Sequence, residues 1–192
     1  MAFSSLNSLR EAQRVLSDLA SSVAQVKLID GAIQTLAQAY SRGNKVLAIG
    51  NGGSCCDAAH FAEELTGRFR KDRPPLAALA CNDAGHITCT ANDYGFDHIF
   101  SRWITAHGKA GDVVIILSTS GNSPNCVAAA KAAKAAGATT IGLLGKGGGV
   151  LKGEVDHAIV VGGETSDRIQ ELHMLILHIF VEGIERELGY VA

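Results

Sequence analysis

Twice in this sequence a short apolar run passes directly into a loop of glycine and hydroxyl residues and then into a helical pattern. Residues 45–49 run into Gly50, Asn51, Gly52, Gly53 and Ser54, and residues 113–117 run into Ser118, Thr119, Ser120, Gly121, Asn122, Ser123 and Pro124. Neither run alternates apolar with polar, so each reads as a strand buried on both faces, which is the signature of a parallel sheet covered by helices. Parallel neighbours cannot be joined by a hairpin; they need a crossover, and the crossover is usually helical. Further strand candidates at 76–81, 139–144 and 157–161 keep the same alternation with helical segments.

Two amphipathic helices are expected ahead of this pattern. Leu6, Leu9, Val15, Leu16 and Leu19 recur at helical spacing, as do Val26, Ile29, Ile33 and Leu36, with Gly43 as a stop. A helix carrying His60, Glu64 and Arg68 should follow the first glycine loop, and a helical region should extend through Trp103. Ser123 suits an N-cap and Pro124 the first helical position, with Gly137 ending that helix; a last helix spans about 166–188.

The chain of 192 residues, with 47% hydrophobic residues and 22 glycines, is sized for one domain over 1–192. The leading helices occupy about 4–42, and the sheet with its flanking helices about 44–190. A net charge of −2 and a pI near 6.4 give no electrostatic footprint for nucleic acid. The basic residues between Arg68 and Arg73 read as a solvated loop. No run approaches the ~18 apolar residues of a membrane span, and no leader pattern opens the chain, so a cytoplasmic protein is expected. Cys55, Cys56, Cys81, Cys89 and Cys126 are odd in number and form no CxxC pair; they are expected to be reduced and mostly buried.

The loop at 118–123 brings four hydroxyl side chains to a strand-to-helix turn, where free backbone N–H groups and the helix dipole favour an anion. The alternative is that Ser123 only caps its helix while the others solvate the loop. In open parallel sheets, ligands bind beyond the carboxyl ends of the strands, where both loops lie. Glycines at 50, 52 and 53 permit close backbone approach. Neither GxGxxG nor GxxxxGK[ST] occurs, so no nucleotide is expected.

His60, Glu64 and Arg68 follow at four-residue steps and share a face if the segment is helical. Such a face can hold a divalent metal, or move a proton while the cation steadies negative charge, or serve only as an exposed ion-pair ladder. In the last helix an apolar run is interrupted by Gln170, His173 and His178, and polar groups there need partners. Eight residues at ~1.5 Å rise separate the Gln170 and His178 backbones by ~12 Å, so one metal bridges both only through extended side chains, unless two subunits share the ligands.

The strings GNGGSCCDAAHFAEELTGRFR, STSGNS and DRIQELHMLILHI together resemble the phosphoheptose isomerases, or sedoheptulose 7-phosphate isomerases, within the sugar isomerase (SIS) domains. The resemblance runs over nearly the whole chain. It implies a three-layer α-β-α sandwich with a five-stranded parallel, flavodoxin-like sheet behind the two leading helices. It implies a homotetramer with active sites at subunit interfaces, and conversion of D-sedoheptulose 7-phosphate to D-glycero-D-manno-heptose 7-phosphate, the entry to heptose for surface polysaccharide. Zinc, one per subunit, would be bound at the positions matching His60, Glu64, Gln170 and His178. Substrate contacts would fall on Asn51, Gly52, Gly53, Ser54, Glu64, Asn92, Asp93, Ser118, Thr119, Ser120, Ser123 and Gln170. This chain has Cys55 where some members have His, and no role is carried onto it.

Aldose–ketose interconversion needs a base at carbon and an acid at oxygen. Glu64 is expected to be the base and His178 the acid, with Arg68 or a metal stabilising the enediolate and Asp93 and Asp167 orienting the sugar. The rival is a non-catalytic scaffold binding a protein such as the replication initiator. Such homologues lack the Glu and His that this chain retains.

Overall fold

The computed structural model describes residues 4–191. Two helices open the chain, α1 (Ser5–Ser21) and α2 (Val23–Ser41), broken at Ser22, whose hydroxyl accepts from the Gln25 amide at 3.4 Å. Then β1 (Val46–Gly50), α3 (Gly53–Thr66) and β2 (Ala78–Ala80) alternate. The helical region that follows divides at Gly95, whose φ of 91° suits glycine alone, into α4 (Ala84–Tyr94) and α5 (Ile99–His107). The remainder is β3 (Val113–Ser118), α6 (Pro124–Ala135), β4 (Thr139–Leu144), β5 (His157–Val160) and α7 (Ser166–Glu187).

All strand pairs are parallel, in the order β2-β1-β3-β4-β5. The order reverses between β1 and β3, the switch point at which flavodoxin-like sheets open a crevice beyond their carboxyl ends. Both glycine- and serine-rich loops leave strands at this point.

The strands are buried on both sides. Val46 and Ala48 of β1 face one core with Phe61, Leu65, Ile176 and Phe180, whereas Leu47 and Ile49 face another with Phe100, Ile104 and Ala129. Thus α1, α2, α3 and α7 cover one face and α4, α5 and α6 the other. No helix of the described residues is long and apolar enough to cross a membrane.

The α1 stripe is only partly covered, and two sequence expectations need correction. Only Val15 and Leu19 of the α1 stripe are buried; Leu9 is 68% exposed and Leu6 53%, because α1 meets the rest of the subunit along a narrow line. Two of the five cysteines, Cys81 and Cys126, are buried, while Cys56 and Cys89 are exposed on helix surfaces. The basic segment is no solvated loop throughout, because Arg73 is buried, its Nε donating to Glu185 of α7 at 2.9 Å.

Candidate active site

The upper part of the site stands on the switch-point loops. Ser118 is buried and its Oγ accepts from the Gly121 amide at 3.1 Å, closing a turn at Gly121, whose φ is 67°. Ser120 Oγ accepts from the Asn122 amide at 3.2 Å, and Thr119 donates to Ser166 Oγ at the start of α7 at 3.2 Å. Two of the hydroxyls therefore shape the loop. Ser123 occupies the N-cap of α6 in an extended conformation, yet its side chain makes no capping bond. The reading of Ser123 as only a cap accordingly fails.

Across the crevice, Asn51 and Asn125 exchange carboxamide hydrogen bonds of 2.9 and 2.8 Å, which lock the first loop to the N-terminus of α6. Ser54 is buried in the first turn of α3. A Cβ on Gly53 would lie 2.5 Å from both polar ends of Gln170, so glycine there is what lets α7 bring that carboxamide against the loop. Asp57, Asp167, Gln170, Glu171 and Met174 line a cavity of about 340 Å³. Burial raises the Asp57 pKa, against the opposing pull of Gln170 and His60, and its Oδ2 has no partner. Asp167 is exposed at the cavity's rim and held below the usual carboxylate range, chiefly by the Thr165 side chain.

The lower part lies at the far end of α3. His60 Nε2 and Glu64 Oε1 are 3.2 Å apart, and the His178 ring meets the His60 ring edge-on at 5.3 Å between centroids. One ligand atom from each of His60, Glu64 and His178 falls within 4.8 Å of the other two. Donors about 2.0–2.2 Å from a tetrahedral zinc are roughly 3.5 Å apart, so small side-chain movements bring this set to a divalent ion, and two imidazoles with a carboxylate suit one chemically. Glu64 is half-buried, with its backbone carbonyl taking a 2.6 Å bond from Arg73 Nη2.

α3 leaves the carboxyl end of β1 and runs back along the sheet. From Gly53 to Glu64 the ~1.5 Å rise amounts to ~16 Å, so the loops and the triad occupy opposite ends of one helix. Gln170 stays with the loops, against Gly53 and near Asp57, while His178 joins the triad further along α7. Arg68 departs from the expected face, because α3 ends at Thr66 and Arg68 stands exposed beyond it. Asn92 and Asp93 are joined by a 2.8 Å bond on α4, on the opposite face of the sheet from α3 and α7.

With this geometry in view, an SIS domain matches residues 9–145. Phosphoheptose isomerase of Fusobacterium nucleatum is 58% identical over 80% of this chain and 79% of its own length. The phosphoheptose isomerase of Vibrio vulnificus is 48% identical over 95% of this chain and 96% of its own. The solved phosphoheptose isomerase GmhA of Neisseria gonorrhoeae superposes with a TM-score of 0.88 at 37% identity, covering 94% of this chain and 96% of that one. The chain belongs to the phosphoheptose isomerase family. Its fold is that of the family's solved members, including one from Francisella tularensis with a TM-score of 0.89 at 31% identity over 96% of this chain and 100% of that one.

Around this phosphoheptose isomerase framework stand residues the sequence reading did not single out. Asn125 follows Pro124 and looks like any helix-start residue. Phe69 stacks on His178, and Arg73 ties the end of α3 to α7, both contacts formed across many intervening residues. His173, noted only as a polar interruption, is fully buried with neither ring nitrogen in line with a partner. Burial lowers its pKa to about 4, the nearby Leu144 carbonyl pulling the other way.

Proposed function

We propose that this chain interconverts D-sedoheptulose 7-phosphate and D-glycero-D-manno-heptose 7-phosphate. The observation that carries the reading is the meeting of Glu64 and His178, a carboxylate and an imidazole from separate motifs, in one cluster. Family membership supplies the substrate class.

The phosphate is received by Ser120, Ser123 and the start of α6, where hydroxyls and helix N-terminal amides favour an anion. Thr119, Ser118 and the Asn51–Ser54 loop shape that end, and Gln170 and Asp167 face the sugar. Glu64 removes the proton from the carbon beside the carbonyl. His178 moves protons at oxygen, so that the ketose oxygen gains one while the neighbouring hydroxyl loses one, and returning the carbon-bound proton to the adjacent carbon leaves the aldose. Zinc would be held by His60, Glu64 and His178, with Gln170 of a neighbouring copy. When bound, it supplies a fixed positive charge beside the enediolate oxygen. Arg68, exposed next to the triad-bearing end of α3, is the alternative source of that charge.

Separation of the two ends of the site along α3 supports a homotetramer whose active sites are completed between subunits, the loops of one copy facing the triad of another. The exposed apolar residues Leu6, Leu9, Leu16, Val23 and Val26 of the leading helices fit the same reading, since they need cover. Asn92 and Asp93, on the far face of the sheet, would likewise serve a neighbour's site.

Proton NMR of purified protein with sedoheptulose 7-phosphate in deuterium oxide tests the function: an aldose product and deuterium at the exchanging carbon are expected. A silent spectrum alongside a working reference isomerase sinks it. Light scattering and metal analysis of chelator-free protein test the tetramer and the zinc.

A further inference from the structure

Beyond α3 the chain passes through a loop, residues 67–73, that is fastened to α7 at several points. Arg73 donates from Nε to Glu185 at 2.9 Å and from its two Nη groups to the carbonyls of Leu65 at 2.7 Å and Glu64 at 2.6 Å. Arg70 pairs with Glu182 of α7 at 3.0 Å, and its guanidinium lies over the Phe69 ring at 4.9 Å. Between these fastenings, Phe69 lies nearly parallel to the His178 imidazole, with centroids 5.7 Å apart and planes inclined by 26°.

We propose that Phe69 is a positioning residue for His178, its ring face fixing the plane of the imidazole that works at the substrate oxygens. The proposal rests on the role given to His178 above. The outer torsion of a histidine is broad, so a half-exposed imidazole on a helix turns easily. Here two aromatic contacts restrain it: His60 meets it edge-on, and Phe69 lies against its face. Proton transfer needs a ring nitrogen aimed at the oxygen, and small misplacements of a reacting group are costly. Phe69 has no polar atom, so it moves no proton itself. Nor does it offer the phosphate a hydrogen bond, so its removal should spare substrate capture.

Steady-state kinetics of Phe69→Leu and Phe69→Met are expected to show kcat lowered about 10- to 100-fold with KM changed less than about twofold. Phe69→Tyr, which keeps the ring face, should recover most of the rate. In spectra of the histidine rings, the carbon-bound protons of His178 should lose their upfield ring-current shift in the Leu variant and keep it in the Tyr variant. A Phe69→Leu/His178→Gln enzyme should be no slower than His178→Gln alone, because Phe69 acts through that imidazole. Multiplying losses in the double variant, with folding intact by thermal melting, would overturn the proposal. So would a normal kcat in both Leu and Met variants while His178→Gln is slow. A His178→Gln enzyme at full rate would instead overturn the role of His178 that lies beneath it.

Discussion

The two ends of α3 depend on tertiary packing to different degrees. At its start, the turns themselves are made by bonds between near neighbours in sequence, Ser118 to Gly121 and Ser120 to Asn122, and long-range bonds such as Asn51 to Asn125 and Thr119 to Ser166 only join turns already formed. At its finish, His60 and Glu64 become a site only when α7 brings His178, and when a loop fastened by Arg73 and Arg70 brings Phe69. In the proposed function, the start binds and the finish reacts. A local turn suffices to present hydroxyls and amides to an anion, whereas setting acid against base within a few ångströms needs packed, rigid elements.

Removing the proposed base separates these roles most sharply. Glu64→Gln should lower kcat by about 10²- to 10⁴-fold, the usual contribution of a general acid–base group, and abolish deuterium uptake at the substrate carbon. KM should stay near the parent value, because the hydroxyls and amides at the start of α6 that hold the phosphate in the proposed function are untouched. Normal exchange in this variant would move the base to another residue, and the division between binding and reacting ends would fail.

The fastening of the reacting end comes next. Arg73 and Glu185 are 1% and 2% exposed at their side chains, so Arg73→Met strands a buried carboxylate. Breaking such a pair costs about 3–5 kcal/mol, to be read as a lower urea midpoint. Arg73→Met/Glu185→Met should regain much of that loss. A single variant as stable as the parent would show that the pair does not clamp α3 to α7.

This contrast also explains how much was legible in the sequence. The alternation of apolar runs with glycine- and serine-rich loops was enough for the parallel sheet, and strand 139–144 was placed as observed. Pro124 marked the helix start correctly, with Ser123 at the N-cap position, because a proline's fit to the first helical turn is local. Arg68 was misplaced on the His60 and Glu64 face because continued four-residue spacing hides where a helix stops; Gly67 ends it. Arg73 looked like one more surface charge, since nothing near it in sequence announces Glu185. The proposed reacting residues were named only through family resemblance, as a lone histidine within an apolar helix more often reads as a satisfied core histidine.

Acid should weaken the packing of α7. His173 of α7 is buried neutral, with its pKa lowered from 6.5 to about 4. As pH falls below 6.5 the unfolded chain takes up a proton that the folded chain refuses, so this stability is complete above 6.5 and lost toward 4. The loss over that window is roughly 3 kcal/mol. Urea melts at several pH values should show His173→Met with a shallower slope than the parent between those limits. Equal slopes would mean that His173 is not the group responsible.

The smallest effect is expected at the binding end, and it discriminates well. Replacing a capping serine by alanine ordinarily costs about 1 kcal/mol of stability. Ser123 stands at the N-cap of α6, but its side chain makes no capping bond. Ser123→Ala should therefore change the melting behaviour by no more than a few tenths of a kcal/mol. If the freed hydroxyl receives the phosphate, the same variant should raise KM about tenfold, as expected for loss of one hydrogen bond to a charged group, while kcat holds. A stability loss near 1 kcal/mol with KM unchanged would give Ser123 back to its helix, and the phosphate would then rest on Ser120 and the backbone amides alone.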